Sequence, residues 1–217
     1  MSLVTPLQFN TVQVNLYRGS YPRAINLPFL KTLRLKCILS LTPEPLDEVV
    51  SNFCRENNIR MKHIECHEKA PKDGAAKVKR KKKRVPIDYD IVNECIEFLI
   101  DKENHPLYLH CKNGELISSL VIACLRKFTH WSTVSILNEF LIYNSSINVY
   151  ERGFIEDFEP AVDLSKLRVG NVASWAVSDE YTKTGRNGNK KRKSKRKKGD
   201  ETRREKQEQP LSSIHEK

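Results

Sequence analysis

No run of 18 apolar residues occurs anywhere in the 217 residues, which excludes a helical membrane span. No Cys-x-x-Cys pair occurs either. The six cysteines stand singly at positions 37, 54, 66, 95, 111 and 124. That pattern fits neither a zinc site nor the disulfide framework of a small secreted domain. His63 and His67 flank Cys66 but lack a fourth ligand at matching spacing, so no metal is expected, and no cofactor. Cys37, Cys54, Cys66, Cys95 and Cys124 read as reduced core residues. The opening stretch MSLVTPLQFN lacks the charged start and apolar core of a signal peptide, and a cytoplasmic chain is expected. From about Thr182 onward large apolar residues almost vanish. Such a segment cannot bury enough surface to offset the entropy of ordering, and disorder is expected there.

Acidic balance is what the body of the chain has, despite a formal net charge of +11. Lys77–Arg84 (KVKRKKKR) and Lys190–Lys198 (KKRKSKRKK) hold 15 of the 38 Lys and Arg. The 23 that remain are outnumbered by 27 Asp and Glu. Basicity confined to two runs argues against a nucleic-acid-binding domain and for local polyanion contact through those runs. The second run also resembles a nuclear-import patch.

The hydrophobic pattern predicts alternating strands and helices. Val12, Val14 and Leu16 alternate as an early strand. Leu27–Leu35 carries apolar residues at helical spacing, and Lys36–Leu41 reads as a buried strand ended by Pro43 and Pro45. A helix over Val49–Asn57 and a strand over Ile59–Ile64 follow. Residues 67–85 read as an exposed loop. A helix is expected to start near Pro86, with Ile87, Ile91, Cys95 and Leu99 on its face. Pro106–His110 suits a central strand. Helices are expected over Ser118–Phe128, over Ser132–Tyr143 through Val134, Leu137, Phe140 and Leu141, and over Arg152–Phe158. This order predicts an α/β domain over residues 8–165 with a central, mostly parallel sheet flanked by helices. A linker over 166–182 and a basic tail over 183–217 would complete the chain.

The segment that can carry chemistry is strand, then HCKNGELIS, then helix. A cysteine between a strand end and a helix start sits where unpaired N–H groups and the helix dipole favour negative charge. Such a position favours the thiolate, and a loop of successive N–H groups cradles a phosphate. A nucleophile under a bound phosphoryl group is what covalent phosphoryl transfer needs.

His110-Cys111-Lys112-Asn113-Gly114, with Ser118 beyond, resembles the His-Cys-x5-Arg-Ser/Thr loop of protein-tyrosine and dual-specificity phosphatases. The likeness extends to Leu16-Tyr17-Arg18-Gly19-Ser20-x-Pro22, Asn26-x-x-Phe29-Leu30, Leu33-x-Leu35-Lys36 and Asn104-His105-Pro106. Cys124-Leu125-Arg126-Lys127, Trp131-Ser132 and Phe154-Ile155-Glu156-x-Phe158 extend it further. These motifs, over roughly residues 8–158, are similar to the plant and fungal atypical dual-specificity phosphatases. The resemblance implies a cysteine-phosphatase fold with Cys111 as nucleophile. It implies that His110 helps keep that sulfur ionised and that Ser118 donates to the thiolate. It also implies that the backbone of Lys112, Asn113, Gly114, Glu115, Leu116 and Ile117 binds phosphate oxygens. Asp73 is the general-acid candidate, against the plainer reading of a solvated loop aspartate. Expected ligands are phosphotyrosine proteins or inositol pyrophosphates, and related phosphatase-like proteins are expected partners in a hetero-complex.

The likeness breaks at Ile117, where the resembled loop carries arginine. Isoleucine cannot give the two parallel charge-assisted bonds of a guanidinium. Glu115 adds a carboxylate where the resembled plant and fungal members carry lysine, and Leu116 stands at a frequent histidine position. Lys112 or the run Lys77–Arg84 could supply the missing charge. Three readings follow: a weakened cysteine phosphatase, a pseudophosphatase that binds a phospho-ligand or partner without turnover, and an adaptor working through its basic segments.

Overall fold

A five-stranded sheet in the order β1-β2-β5-β3-β4 organises the computed structural model, which describes residues 3–66, 85–162, 167 and 170–176. The strands are β1 (Asn10–Gln13), β2 (Leu16–Ser20), β3 (Cys37–Thr42), β4 (Arg60–Glu65) and β5 (Leu107–Cys111). Strands β1 and β2 pair antiparallel; β2, β5, β3 and β4 run parallel. Contacts divide the chain into Met1–Ala176 and Val177–Lys217, and the second unit lies outside the described residues, as does the basic run 77–84.

The helices are α1 (Leu27–Thr32), α2 (Glu48–Glu56), α3 (Tyr89–Ile100), α4 (Leu116–Phe128), α5 (Thr133–Tyr143) and α6 (Val149–Asp157). They cover both sheet faces, because successive strand residues point to opposite sides. Cys37, Leu39, Leu41, Leu107, Leu109 and Cys111 join the large cluster formed with α3 and α4. Ile38 and Tyr108 join the smaller one with Leu30, Val50, Phe53 and Cys54. Helix α4 is buried almost all round, since α3, α5 and α6 flank it on the sheet.

Three details differ from the pattern read in the sequence. The Val12–Val14–Leu16 alternation is two strands: the chain turns at Val14 and Asn15, Asn15 takes φ 62, and Val14 is exposed. The short amide side chain of asparagine tolerates that left-handed conformation. Helix α3 starts at Tyr89, three residues after Pro86, because the Asp88 carboxylate accepts from the Ile91 N–H and caps it there. The buried face of α5 is Ile136, Phe140 and Tyr143, while Val134 and Leu141 are exposed. A helix with apolar residues on several sides leaves the choice of face to its neighbours.

Candidate active site

Cys111 closes β5 at the carboxyl edge of the parallel strands, level with Ser20 on β2 and Leu41 on β3. Crevices at that edge, beside a strand whose neighbours connect in opposite directions, are where open α/β sheets bind ligands. The chain leaves Cys111 through Lys112, Asn113, Gly114 and Glu115 and enters α4 at Leu116. Lys112, Asn113 and Glu115 are exposed, Leu116 is half-buried, and Gly114 is buried. Cys111 itself is buried on the α4 face.

Gly114 fixes the loop against β2. Its φ is +76, and a Cβ there would stand 2.7 Å from the Gly19 carbonyl carbon and 2.7 Å from the Ser20 nitrogen. Only glycine combines that backbone angle with so close an approach. The Tyr21 N–H donates to the Lys112 carbonyl at 3.2 Å, which joins the segment after β2 to the loop's other end.

His110 faces the opposite side of the sheet from Cys111, as strand alternation requires. Its Nε2 lies 2.8 Å from Ser40 Oγ, its directly paired neighbour on β3, and its Nδ1 lies 3.4 Å from the Cys111 carbonyl. Tyr108 stacks on the ring and Tyr21 meets it edge-on. Burial pushes the imidazole down to about 4, so it is neutral near pH 7. His110 therefore reaches Cys111 through the backbone and through a neutral ring.

Ser118 lies fully buried in the first turn of α4, and among the described residues its Oγ has no hydrogen-bond partner. Leaving a hydroxyl buried and unpaired costs about 1–3 kcal/mol, so this is an open donor beside the loop. Ile117 is 2% exposed and packs in the large cluster with Leu120 and Val121. Glu115 precedes α4 without capping it by its side chain. Asp73 lies outside the described residues. Among the described residues no group of three or more His, Cys, Asp or Glu could hold a metal, and no helix is long and apolar enough to cross a membrane. All six cysteines are free. Burial pushes Cys66 and Cys124 up to about 12, which keeps both thiols protonated.

Arg18 stands within one of the motifs, and the sequence assigns it no role. The structure places Arg18 under the loop, with Nη2 donating 2.8 Å to the Gly114 carbonyl and 2.8 Å to Ser119 Oγ. The one local cue is that Arg18 shares a strand face with Leu16 and Ser20, while both of its partners lie about a hundred residues away. Ser40 and Ser119 gave no such signal, because a serine in a buried run looks like filler.

The family model described as "Tyrosine phosphatase family" matches residues 3–176. The chain is 62% identical to "Putative tyrosine-protein phosphatase OCA6" of Saccharomyces cerevisiae, covering 81% of this chain and 80% of that protein. It is 34% identical to the rice (Oryza sativa subsp. japonica) inositol diphosphatase DSP1, covering 76% of this chain and 68% of that protein. Among solved structures, the core catalytic domain of the PP-IP phosphatase SIW14 from Saccharomyces cerevisiae superposes with a TM-score of 0.62 at 26% identity. That match covers 74% of this chain and 90% of that one. TpbA of P. aeruginosa, at 17% identity and a TM-score of 0.53 over 75% of this chain and 89% of that one, shares the fold. A cysteine at the strand end, a glycine-hinged loop and a helix start thus stand on a sheet shared with cysteine-based phosphatases, and the chain belongs to the tyrosine phosphatase family.

Proposed function

We propose that residues 111–117 seat a phosphoryl group and that the chain is a cysteine phosphatase slowed by Ile117. One observation carries this reading. Cys111 ends β5 immediately before a loop that leads into α4, where the buried hydroxyl of Ser118 is left without a partner. In the reaction, the Cys111 thiolate attacks phosphorus. The S–P bond forms as the P–O bond to the leaving group breaks, and the leaving oxygen takes a proton from an acid. Asp73 is the proposed acid. Water then attacks phosphorus, the S–P bond breaks, and phosphate leaves with the thiolate restored. Ser118 donates to that thiolate, His110 holds the backbone beneath it, and the N–H groups from Lys112 to Ile117 hold the phosphate oxygens.

The absent guanidinium sets the rate. Losing one preorganised donor lowers turnover by about 10²–10³, and losing a bidentate ionic one costs at least that. Inositol pyrophosphates suit such a site better than alkyl phosphates. Their leaving group is a phosphate ester, stable as an anion and less dependent on a general acid. Phosphotyrosine, with its aryl leaving group, comes next. The names of the rice relative and of the yeast structural neighbour point the same way. We place this activity in the cytoplasm, with nuclear entry through Lys190–Lys198 and with related phosphatase-like proteins as partners.

Ile117 also favours a second reading, a pseudophosphatase that binds a phospho-ligand without turnover. Its side chain is committed to the core, and the neighbouring Glu115 carboxylate is exposed on the loop. Phosphate release from an aryl phosphate, a phosphotyrosine peptide and an inositol pyrophosphate decides between them. Slow turnover that Cys111→Ser abolishes and Ile117→Arg raises by about 10² or more supports the first. No turnover in the native chain, with activity appearing in Ile117→Arg, establishes the second. Ile117→Arg should also lower stability by about 1.5–3 kcal/mol, the burial that isoleucine gives up.

A further inference from the structure

Arg18 is buried to 1% exposure on the α4 face of β2, an unusual place for a guanidinium. Its Nη2 donates to the Gly114 carbonyl and to Ser119 Oγ, and its Cζ lies 3.5 Å from the centroid of the Tyr143 ring. Among the described residues no carboxylate stands within salt-bridge distance of it, and its Nε has no partner. Burial pushes the guanidinium down to about 10, offset in part by Tyr143, Cys111 and Glu139, so it stays charged at neutral pH. A buried cation with no carboxylate in direct contact is costly, and an anion bound close by would offset that cost.

The bond to Gly114 has a geometric effect. A peptide unit is planar and trans, so a carbonyl held toward Arg18 turns the next N–H the opposite way. That N–H belongs to Glu115, between the Cys111 sulfur and the start of α4, and among the described residues no carbonyl accepts from it. The bond to Ser119 ties the same guanidinium to the first turn of α4. Strand, loop and helix are thus held in one arrangement by a single side chain.

We propose that Arg18 is the positioning residue of the 111–117 loop: it holds the Gly114 carbonyl toward itself so that the Glu115 N–H faces a bound oxyanion, and it sets a buried positive charge close to that anion. The inference rests on the reading of this loop as a phosphoryl seat. A purely structural clamp between β2, α4 and Tyr143 would make the same contacts but would not respond to an anion.

The test uses the full chain and tungstate, a tetrahedral oxyanion that is not turned over. Calorimetric titration of the native protein should show binding that Arg18→Met weakens by at least about tenfold, the loss expected for a charge-assisted bond. Arg18→Lys, which keeps the charge and a donor, should recover most of it. Tungstate should also shift the Arg18 Nε–H and Glu115 N–H resonances of the native protein. That measurement needs no variant and decides the matter if Arg18→Met does not fold. Native-like affinity in a folded Arg18→Met, equal weakening by Lys and Met, or an unmoved Arg18 Nε–H would overturn the positioning role alone. No tungstate binding by the native chain would overturn the phosphoryl-seat reading, and the role of Arg18 with it.

Discussion

His110 shows how much one buried side chain can make the fold depend on pH. Its imidazole is pushed from 6.5 down to about 4 by burial against Tyr108, Tyr21 and Ser40. Between those values the unfolded chain takes up a proton that the folded chain refuses. Stability is therefore full above pH 6.5, falls as pH drops, and levels off near pH 4. The loss amounts to ~3 kcal/mol at about 1.4 kcal/mol per unit. His105 is also lowered by burial and adds a contribution of the same sign. Urea unfolding at several pH values should give a shallower acid slope in His110→Asn than in the native protein. Equal slopes would mean that His110 titrates normally. At this scale the sequence was legible where chemistry is local. Cys111 and Gly114 declared themselves, because a strand end, a thiol and a glycine hinge lie within four residues. Arg18 did not, since its partners Gly114 and Ser119 are about a hundred residues away. The facing of His110 away from the Cys111 sulfur follows from strand alternation once the strand is known.

Among the elements, the contact of α4 with α5 carries an electrostatic clamp. Arg126 on α4 donates from Nε and Nη2 to the Glu139 carboxylate on α5 at 2.7 and 2.8 Å. It also donates to the Val12 carbonyl and lies 4.1 Å from the centroid of the Trp131 ring. One guanidinium therefore fastens two helices and the end of β1. Glu139→Ala leaves that cation buried with only the Val12 carbonyl to accept from it. A fully buried pair broken this way costs about 3–5 kcal/mol, and partial exposure of Glu139 should reduce this to about 2–3 kcal/mol. Replacing both partners by apolar residues (Arg126→Met with Glu139→Leu) removes the stranded charge. Denaturant melts should show the double variant closer to the native protein than Glu139→Ala. Equal losses would show that the ionic bond holds little of this contact. The same clamp explains why element existence was readable while the facing of α5 was not. Each helix announces itself by its own period, but which stripe turns inward depends on a partner such as Arg126 that no local window contains.

At the scale of the whole molecule, the question is where the folded body ends. Residues 166–182 read as a linker in the sequence, yet residues 170–176 are tied to the region between α3 and β5. Val172 bridges Asp101, the Lys102 N–H donates to the Asn171 carbonyl, and the Ala173 N–H donates to the Ile100 carbonyl. Trp175 stacks on His105, and Ala173 and Ala176 belong to the large core cluster. Short segments hide such pairing, because two or three backbone bonds leave no hydrophobic period to detect. The family match also runs to residue 176. A chain ended after Ala176 should therefore keep its melting temperature within about 2 °C. One ended after Val162 should melt several degrees lower, at roughly 2–4 °C per kcal/mol lost. The first truncation also separates the two charges of the molecule. It removes Lys190–Lys198 and leaves the body that holds Cys111, Gly114 and Arg18. Heparin affinity should drop and its dependence on salt should flatten, since each cation removed is one fewer counterion released. Tungstate binding should be unchanged. A truncated chain that loses tungstate binding while keeping its melting temperature would tie residues 177–217 to the loop itself and revive the reading in which the basic segments govern what this protein does.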